Sequence, residues 1–155
     1  MVNFYKSEDG ELFVNPILEN HKGLTKLTNA QFKKELAARN APTTDQLLQR
    51  LTQARKEQER QGVTINGIRY AGDPGNRQTL QEAIAFMEDA GLTEFAIWKD
   101  SDGVYHQNNP LADVKDAARA IGARRSQLIA AEGEYAAQII AGILTDLTET
   151  EVVWP

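Results

Sequence analysis

"VTINGIRYAGDPGNRQTLQEA" (residues 63–83) decides how the second half of this chain folds. Val63, Ile65, Ile68 and Tyr70 flank Asn66-Gly67, the dipeptide that suits the two positive-φ positions of a tight hairpin turn. A Gly-Asp-Pro-Gly-Asn-Arg loop follows. Then comes a helical pattern with Leu80, Ala83, Ile84 and Met87 on one face, ended by Gly91. The spacing predicts a helix over 76–90 capped by Asn76, with Thr79-x-x-Glu82 as the alternative cap. Strand, glycine-containing loop and helix start is also the order in which phosphate sites are built. This loop lacks both the Lys-Ser/Thr end of a P-loop and the G-x-G-x-x-G of a dinucleotide loop. Pro74 removes an N–H that an anion cradle would use, and Asp73 puts a negative charge where the phosphate would sit. The loop therefore reads as a turn in the chain, with Arg77 available to pair with nearby acids.

Downstream, "TEFAIWKDSDGVYHQN" (93–108) reads as a second hairpin through an Asp-Ser-Asp-Gly turn. The two hairpins are expected to form one small antiparallel sheet with helix 76–90 on one face. From Pro110 a long helix is predicted through Leu144. A 3–4 spacing along it gives Leu111, Val114, Ala118, Ile121, Arg125, Leu128, Glu132, Tyr135 and Ile139, with Ile129, Ala136, Ile140 and Ile143 as a second apolar line. Two hairpins cannot cover so much apolar surface. Self-association through Leu111, Val114, Ile121, Leu128, Tyr135, Ile139 and Ile143 is the expectation, with a trimer as one form. Gly122 and Gly133 return to nearly the same side of this helix. They either admit a neighbouring backbone or mark a break into two helices.

Upstream, "NFYKSEDGELFVNP" (3–16) reads as a hairpin turning at Gly10. "LTNAQFKKELAARN" (27–40) opens with the capping-box pattern Thr28-x-x-Gln31 and carries Phe32 and Leu36 on one side, and Pro42 closes it. "TTDQLLQRLTQARKEQERQ" (43–61) starts with Thr43-x-x-Gln46, shows a patch of Leu47, Leu48 and Leu51, and is otherwise charged or amide. So polar a helix is read as a solvated connector or one strand of an assembly. The expected boundary lies at about residue 60, giving an N-terminal hairpin with its connector over 1–60 and a second domain over 61–155. The fold class is α+β: a small antiparallel hairpin sheet packed with helices, a long C-terminal helix, and a polar connector helix after an N-terminal hairpin.

Composition narrows the function. The chain has 155 residues, 41% hydrophobic and 25% charged, enough for an ordinary core. Its net charge of −5 argues against nucleic acid and anionic membrane as partners. Without cysteine there are no disulfides, thiolate nucleophiles or Cys-based metal sites, and the two histidines, His21 and His106, stand far apart. No apolar run approaches the roughly 20 residues of a membrane span, and "MVNFYKSEDG" lacks a signal-peptide pattern, so synthesis in the cytoplasm is expected.

"KDSDG" (99–103) and "SEDG" (7–10) invite a calcium reading, but Trp98 stands in the place of the first ligand and no glutamate follows within the loop. His106 has Ser101 and Asp102 near it in sequence, which does not make a triad, and it reads as a half-exposed strand histidine. "GARRSQ" (122–127), among Asp113, Asp116, Glu132 and Glu134, reads as a solvated or intersubunit ion-pair face. No catalytic residue, cofactor or metal ligand is expected.

The residues up to Arg60 and then "GVTINGIRY", "DPGNRQTLQEAIAF", "WKDSDGVYH" and the helix opening at Pro110-Leu111 together resemble a domain of unknown function. That domain recurs in the tail genes of tailed bacteriophages, often beside tail-fibre or tail-fibre-assembly proteins. The ending "LTDLTETEVVWP" is similar to the family's usual tail. "NFYKSEDGELFV" resembles the opening of small tail-fibre-assembly-type proteins. The resemblance covers residues 1–15 and about 55–155. It implies a structural component of the tail (fibre base, tip or baseplate adaptor) located in the virion and contacting other phage tail proteins. A non-virion fibre-assembly chaperone is the alternative. It transfers no active-site residue.

Overall fold

The computed structural model describes residues 2–16, 23–147 and 152–155; His21 and the acidic stretch 148–151 lie outside them. The fold is α+β and divides into two units, residues 1–43 and 44–155.

In the first unit, β1 (Phe4–Lys6), β2 (Leu12–Val14) and β3 (Thr25–Leu27) make an antiparallel sheet in the order β2-β1-β3. Gly10 has φ 93°, the left-handed conformation required at the β1–β2 turn. The expected hairpin thus gains a third strand. α1 (Asn29–Asn40) starts with the predicted capping box: Gln31 N donates to Thr28 Oγ1 (3.2 Å) and Thr28 N to Gln31 Oε1 (2.8 Å). It ends where Ala41 turns extended ahead of Pro42. Phe32 stacks on Phe4 with ring centroids 4.4 Å apart. No described residue of this unit is fully buried.

The second unit begins with α2 (Thr44–Gln61), followed by the hairpin β4 (Val63–Ile65) and β5 (Ile68–Tyr70). Asn66 and Gly67 have φ 50° and 81°, the turn the dipeptide predicts. α3 (Pro74–Asp89) is capped by Asp73, not Asn76, and therefore starts two residues before the expected 76. With Pro74 in the first turn, the Asp73 carboxylate accepts from Gly75 N and Asn76 N. At its other end Gly91 N donates to Glu88 O and Leu92 N to Met87 O, closing the helix with a Schellman motif.

β6 (Glu94–Lys99) and β7 (Tyr105–Pro110) form the next hairpin. Its ladder skips the Ala96–Asn108 pair, where Asn108 takes φ 53°, and Phe95 and Trp98 of β6 both pack against the core. The two hairpins remain separate two-stranded sheets and do not merge into the single sheet expected. α4 (Leu111–Ile140) follows Pro110, and its first free N–H, on Leu111, donates to Thr93 O. It ends four residues short of the predicted Leu144 because Gly142, φ 70°, closes a second Schellman motif: Gly142 N donates to Ile139 O and Ile143 N to Gln138 O.

Two clusters make the core. Ile68, Tyr70, Leu80, Val114, Ala117 and Ile121 pack together under Phe95 and Trp98. Leu47 and Leu51 of α2 pack on Ile139 and Leu144, with Tyr135 and Trp154 alongside. The compact units divide between Thr43 and Thr44, whereas the sequence placed a boundary at about residue 60. α2 runs antiparallel to α4 and belongs to the second unit, because its leucine patch covers the apolar surface of α4 that the hairpins leave bare.

Candidate functional site

The C-terminal end of α2 carries the densest group of charged side chains. Glu59 is 6% exposed, and Arg55, Arg77 and Arg125 converge on it. Arg77 Nη1 and Arg125 Nε each stand 3.3 Å from its carboxylate oxygens. Arg55 also reaches Glu132 Oε2 through Nε at 2.6 Å, and Arg77 Nη1 donates to Gly72 O at 2.6 Å. One carboxylate thus joins α2, α3 and α4. Burial of a single unpaired carboxylate would be prohibitive, and three guanidiniums make it tolerable.

The chain must come very close to Glu59 for this. A Cβ at Gly72 would lie 2.3 Å from Glu59 O, and one at Gly62, itself at φ 69°, would lie 1.9 Å from Tyr70 O. Of the charges that make α2 polar, Arg55 and Glu59 belong to this internal network, while Arg50, Lys56, Glu57 and Arg60 stay exposed. The basic cluster at 122–127 contributes to it within the chain: Arg125 goes to Glu59, while Arg124 donates to Gln58 Oε1 and Pro155 O.

The quoted loop and the β6–β7 turn face each other across a polar cleft of about 520 Å³ lined by Arg60, Arg69, Asp73, Asn76, Asp100 and Asp102. Its charged groups are largely satisfied by one another. Asp102 pairs with Arg69 at 2.7 Å, which raises the already high pKa of that guanidinium. Asp100 accepts from His106 Nε2, Val104 N and Asp102 N at 2.8–2.9 Å; the His106 hydrogen bond first, then the backbone donors, hold its pKa below the usual carboxylate value. Burial pushes the Asp73 carboxyl up, but the Asn76 side chain and the N–H groups of the α3 start outweigh it and leave the pKa lowered. The anion at this helix start is the chain's own carboxylate, which answers the phosphate question in chemical terms.

Ser101 Oγ accepts from Ala71 N at 2.8 Å, and Ser101 N donates to Arg69 O at 3.1 Å. His106 lies with Asp100, and no hydrogen bond joins it to Ser101 among the described residues. The arrangement fastens the turn to the end of β5. Beside it Tyr70 and Asn109, both almost wholly buried, exchange hydrogen bonds at 3.0 and 3.3 Å. Burial raises the Tyr70 pKa, with Asn109 opposing.

Of the expected interface residues, Leu111, Val114, Ile121, Leu128 and Ile139 are buried inside the chain, and Tyr135 is half-buried with its hydroxyl on Val153 N and O. Ile143 lies beyond the helix and is 75% exposed. The seam is thus the inner face of α4, filled by the hairpins and α2, and these five buried side chains are not a free surface. Sequence reasoning missed Glu59 and Arg55, whose only signal was an i, i+4 pair in the charged part of α2.

The chain belongs to the family of the domain of unknown function DUF4376, which matches residues 27–153. No curated protein and no solved structure gives a significant match to the chain.

Proposed function

We propose that this chain is a structural component of a bacteriophage tail, at the fibre base, tip or baseplate, acting through protein–protein contacts with other tail proteins and with copies of itself. The resemblance of its motifs to a tail-associated family motivates the reading. The observation that carries it is the state of the first unit. Its sheet and helix hold a stacked Phe4–Phe32 pair, yet none of its described residues is fully buried. A unit of about 40 residues without a closed core lies at the limit of independent stability. Covering by a neighbouring protein would complete it, as expected of an attachment end.

The second unit has its own core and would serve as the body of such an adaptor. On this reading the protein resides in the virion and needs no catalytic group, cofactor or metal. The test is peptide mass spectrometry on gradient-purified virions beside the infected-cell lysate. Recovery in virions at a fixed ratio to known tail proteins supports the reading. Presence in lysate and absence from virions overturns it in favour of a fibre-assembly chaperone.

A further inference from the structure

Residues 152–155 are held on the second unit by contacts that alternate along them. Val152 and Trp154 are half-buried and pack on the cluster of Leu47, Leu51, Ile139 and Leu144, whereas Val153 and Pro155 are exposed. Val153 is bound through its backbone instead. Its N–H donates to the Tyr135 hydroxyl at 2.9 Å, and that hydroxyl donates to Val153 O at 3.1 Å. Arg124 Nη1 donates to Pro155 O at 3.1 Å, and the Trp154 ring meets Tyr135 edge to face with centroids 6.0 Å apart.

Main-chain hydrogen bonds combined with apolar pockets for every second side chain are the means by which proteins bind extended peptides. Here the receptor groups come from α2 (Leu47, Leu51) and α4 (Arg124, Tyr135, Ile139). These helices hold each other without help from residues 152–155, through Glu59 with Arg125, Arg55 with Glu132, and Leu51 with Ile139. The surface is therefore built independently of the segment seated on it. A groove of about 370 Å³, lined by Gln127, Ala130, Ala131 and Glu134 of α4, runs beside residues 153–155. It leaves room for side chains bulkier than Val153 and Pro155.

We propose that the α2–α4 surface around Tyr135 is a peptide-binding site, occupied in this chain by its own residues 152–155. It takes an extended segment with an aliphatic residue, a second residue of any kind, then tryptophan and proline. Tyr135 and Arg124 read the backbone, and the leucine cluster takes the aliphatic and indole side chains. A partner protein presenting a segment of this chemistry binds by displacing the chain's own. The proposal stands on α2, α4 and this segment alone, so loss of the tail reading in the virion experiment leaves it intact, and the reverse also holds.

A short tether presents a segment to its site at an effective concentration of about 1 mM, so a segment docked in this way must bind as a free peptide with a Kd of about 1 mM or tighter. The test uses the full chain and a fluorescein-labelled peptide of residues 151–155, read by fluorescence anisotropy. The Trp154→Ala chain, whose own segment has lost its anchor, is expected to bind the peptide saturably. The parent chain is expected to bind it about tenfold or more weakly, because its own segment competes. Adding Tyr135→Phe to the Trp154→Ala chain is expected to weaken binding about tenfold through the lost backbone hydrogen bonds.

A Trp154→Ala chain that keeps its cooperative thermal transition but shows no saturable binding at about 1 mM peptide overturns the proposal. So does equal binding by the parent chain, or binding untouched by Tyr135→Phe, since either would place the peptide elsewhere. If Trp154→Ala abolishes the thermal transition, Val153→Pro takes its place under the same criteria. That variant removes the N–H given to Tyr135 and keeps both inward side chains.

Discussion

Glu59 in the last turn of α2 and Arg125 in the middle of α4 stand 3.3 Å apart, and this contact holds the two longest helices in antiparallel register. The same pairing recurs along the helices, through Arg55 with Glu132 and then Leu51 with Ile139. An ionic end and an apolar end thus fix one alignment. A helix shifted by one turn would leave a buried charge without its partners.

Glu59→Gln keeps the shape and removes the charge, leaving Arg55, Arg77 and Arg125 crowded together. The expected loss is about 3 kcal/mol, the low end for breaking a buried pair, because Arg77 and Arg125 retain some solvent. Arg119→Ala, which removes the exposed pair with Asp116, is expected to cost well under about 1 kcal/mol. Urea unfolding of the two variants measures the contrast. Equal losses would mean that the Glu59 network is not a structural anchor.

Glycine substitutions separate close approach from open space. Gly72→Ala drives a Cβ to 2.3 Å from Glu59 O, so it is expected to destabilise strongly or prevent folding. Gly133→Ala adds a methyl where nothing stands within 4 Å. Below the concentration of self-association it is expected to stabilise the chain by about 1 kcal/mol through helix propensity. Thermal melts of both in dilute solution decide the matter.

The β6–β7 turn is expected to weaken in acid. Asp100 titrates below its ordinary value of 3.8 in the folded chain, chiefly through its hydrogen bond with His106. A group with a depressed folded pKa contributes stability that is fully present above its unfolded pKa. That contribution is lost as pH falls through the folded value, so the window lies below about pH 4. Asp100→Asn is expected to melt lower than the parent chain at neutral pH, with the gap narrowing as the solution is taken to pH 3. A gap independent of pH would show that the carboxylate charge contributes nothing.

Much of this architecture was legible beforehand, and the failures have identifiable physical causes. Asn66-Gly67, the Thr28–Gln31 box and the helix-ending Gly91 each express a backbone requirement within a few residues, so local chemistry reveals them. Asp73 was passed over as a cap because Asn76 competes for the role, and only the position of Pro74 in the first turn distinguishes them. The inner seam of α4 is apolar as its spacing predicts, but α2, the element covering it, is distant in sequence, with Leu51 meeting Ile139, and displays mostly charge. A buried Glu59 has no signature of its own in a sequence, since its burial depends on arginines from three helices. The second apolar line, Ile129, Ala136, Ile140 and Ile143, does not stay together: Ala136 packs on the Leu47–Leu51 cluster, whereas Ile140 and Ile143 are 70% and 75% exposed.

The Tyr70–Asn109 pair tests whether the core tolerates half a polar contact. Tyr70→Phe leaves the amide of Asn109, 1% exposed, without its partner hydroxyl. The expected cost is about 1–3 kcal/mol, the penalty of an unsatisfied buried group. Combining it with Asn109→Leu is expected to recover part of the loss, which a double-mutant cycle measures. A cycle with purely additive effects would show that the two side chains act independently.

The division of the chain at Thr43 and Thr44 predicts which truncations fold. Residues 44–155 contain both apolar clusters and every partner of Glu59, so removing 1–43 is expected to leave a cooperative thermal transition within a few degrees of the parent. Starting at residue 61 would instead delete Leu47, Leu51 and Glu59. The inner face of α4 would then lie open at Ile139, and Arg77 and Arg125 would be left without their shared carboxylate. Two lost leucines alone remove about 3–6 kcal/mol of burial, most of what a small domain has in reserve. That fragment is expected to show weak, non-cooperative unfolding by circular dichroism. If 61–155 melted as sharply as 44–155, α2 would be a connector after all, and the boundary would return to residue 60.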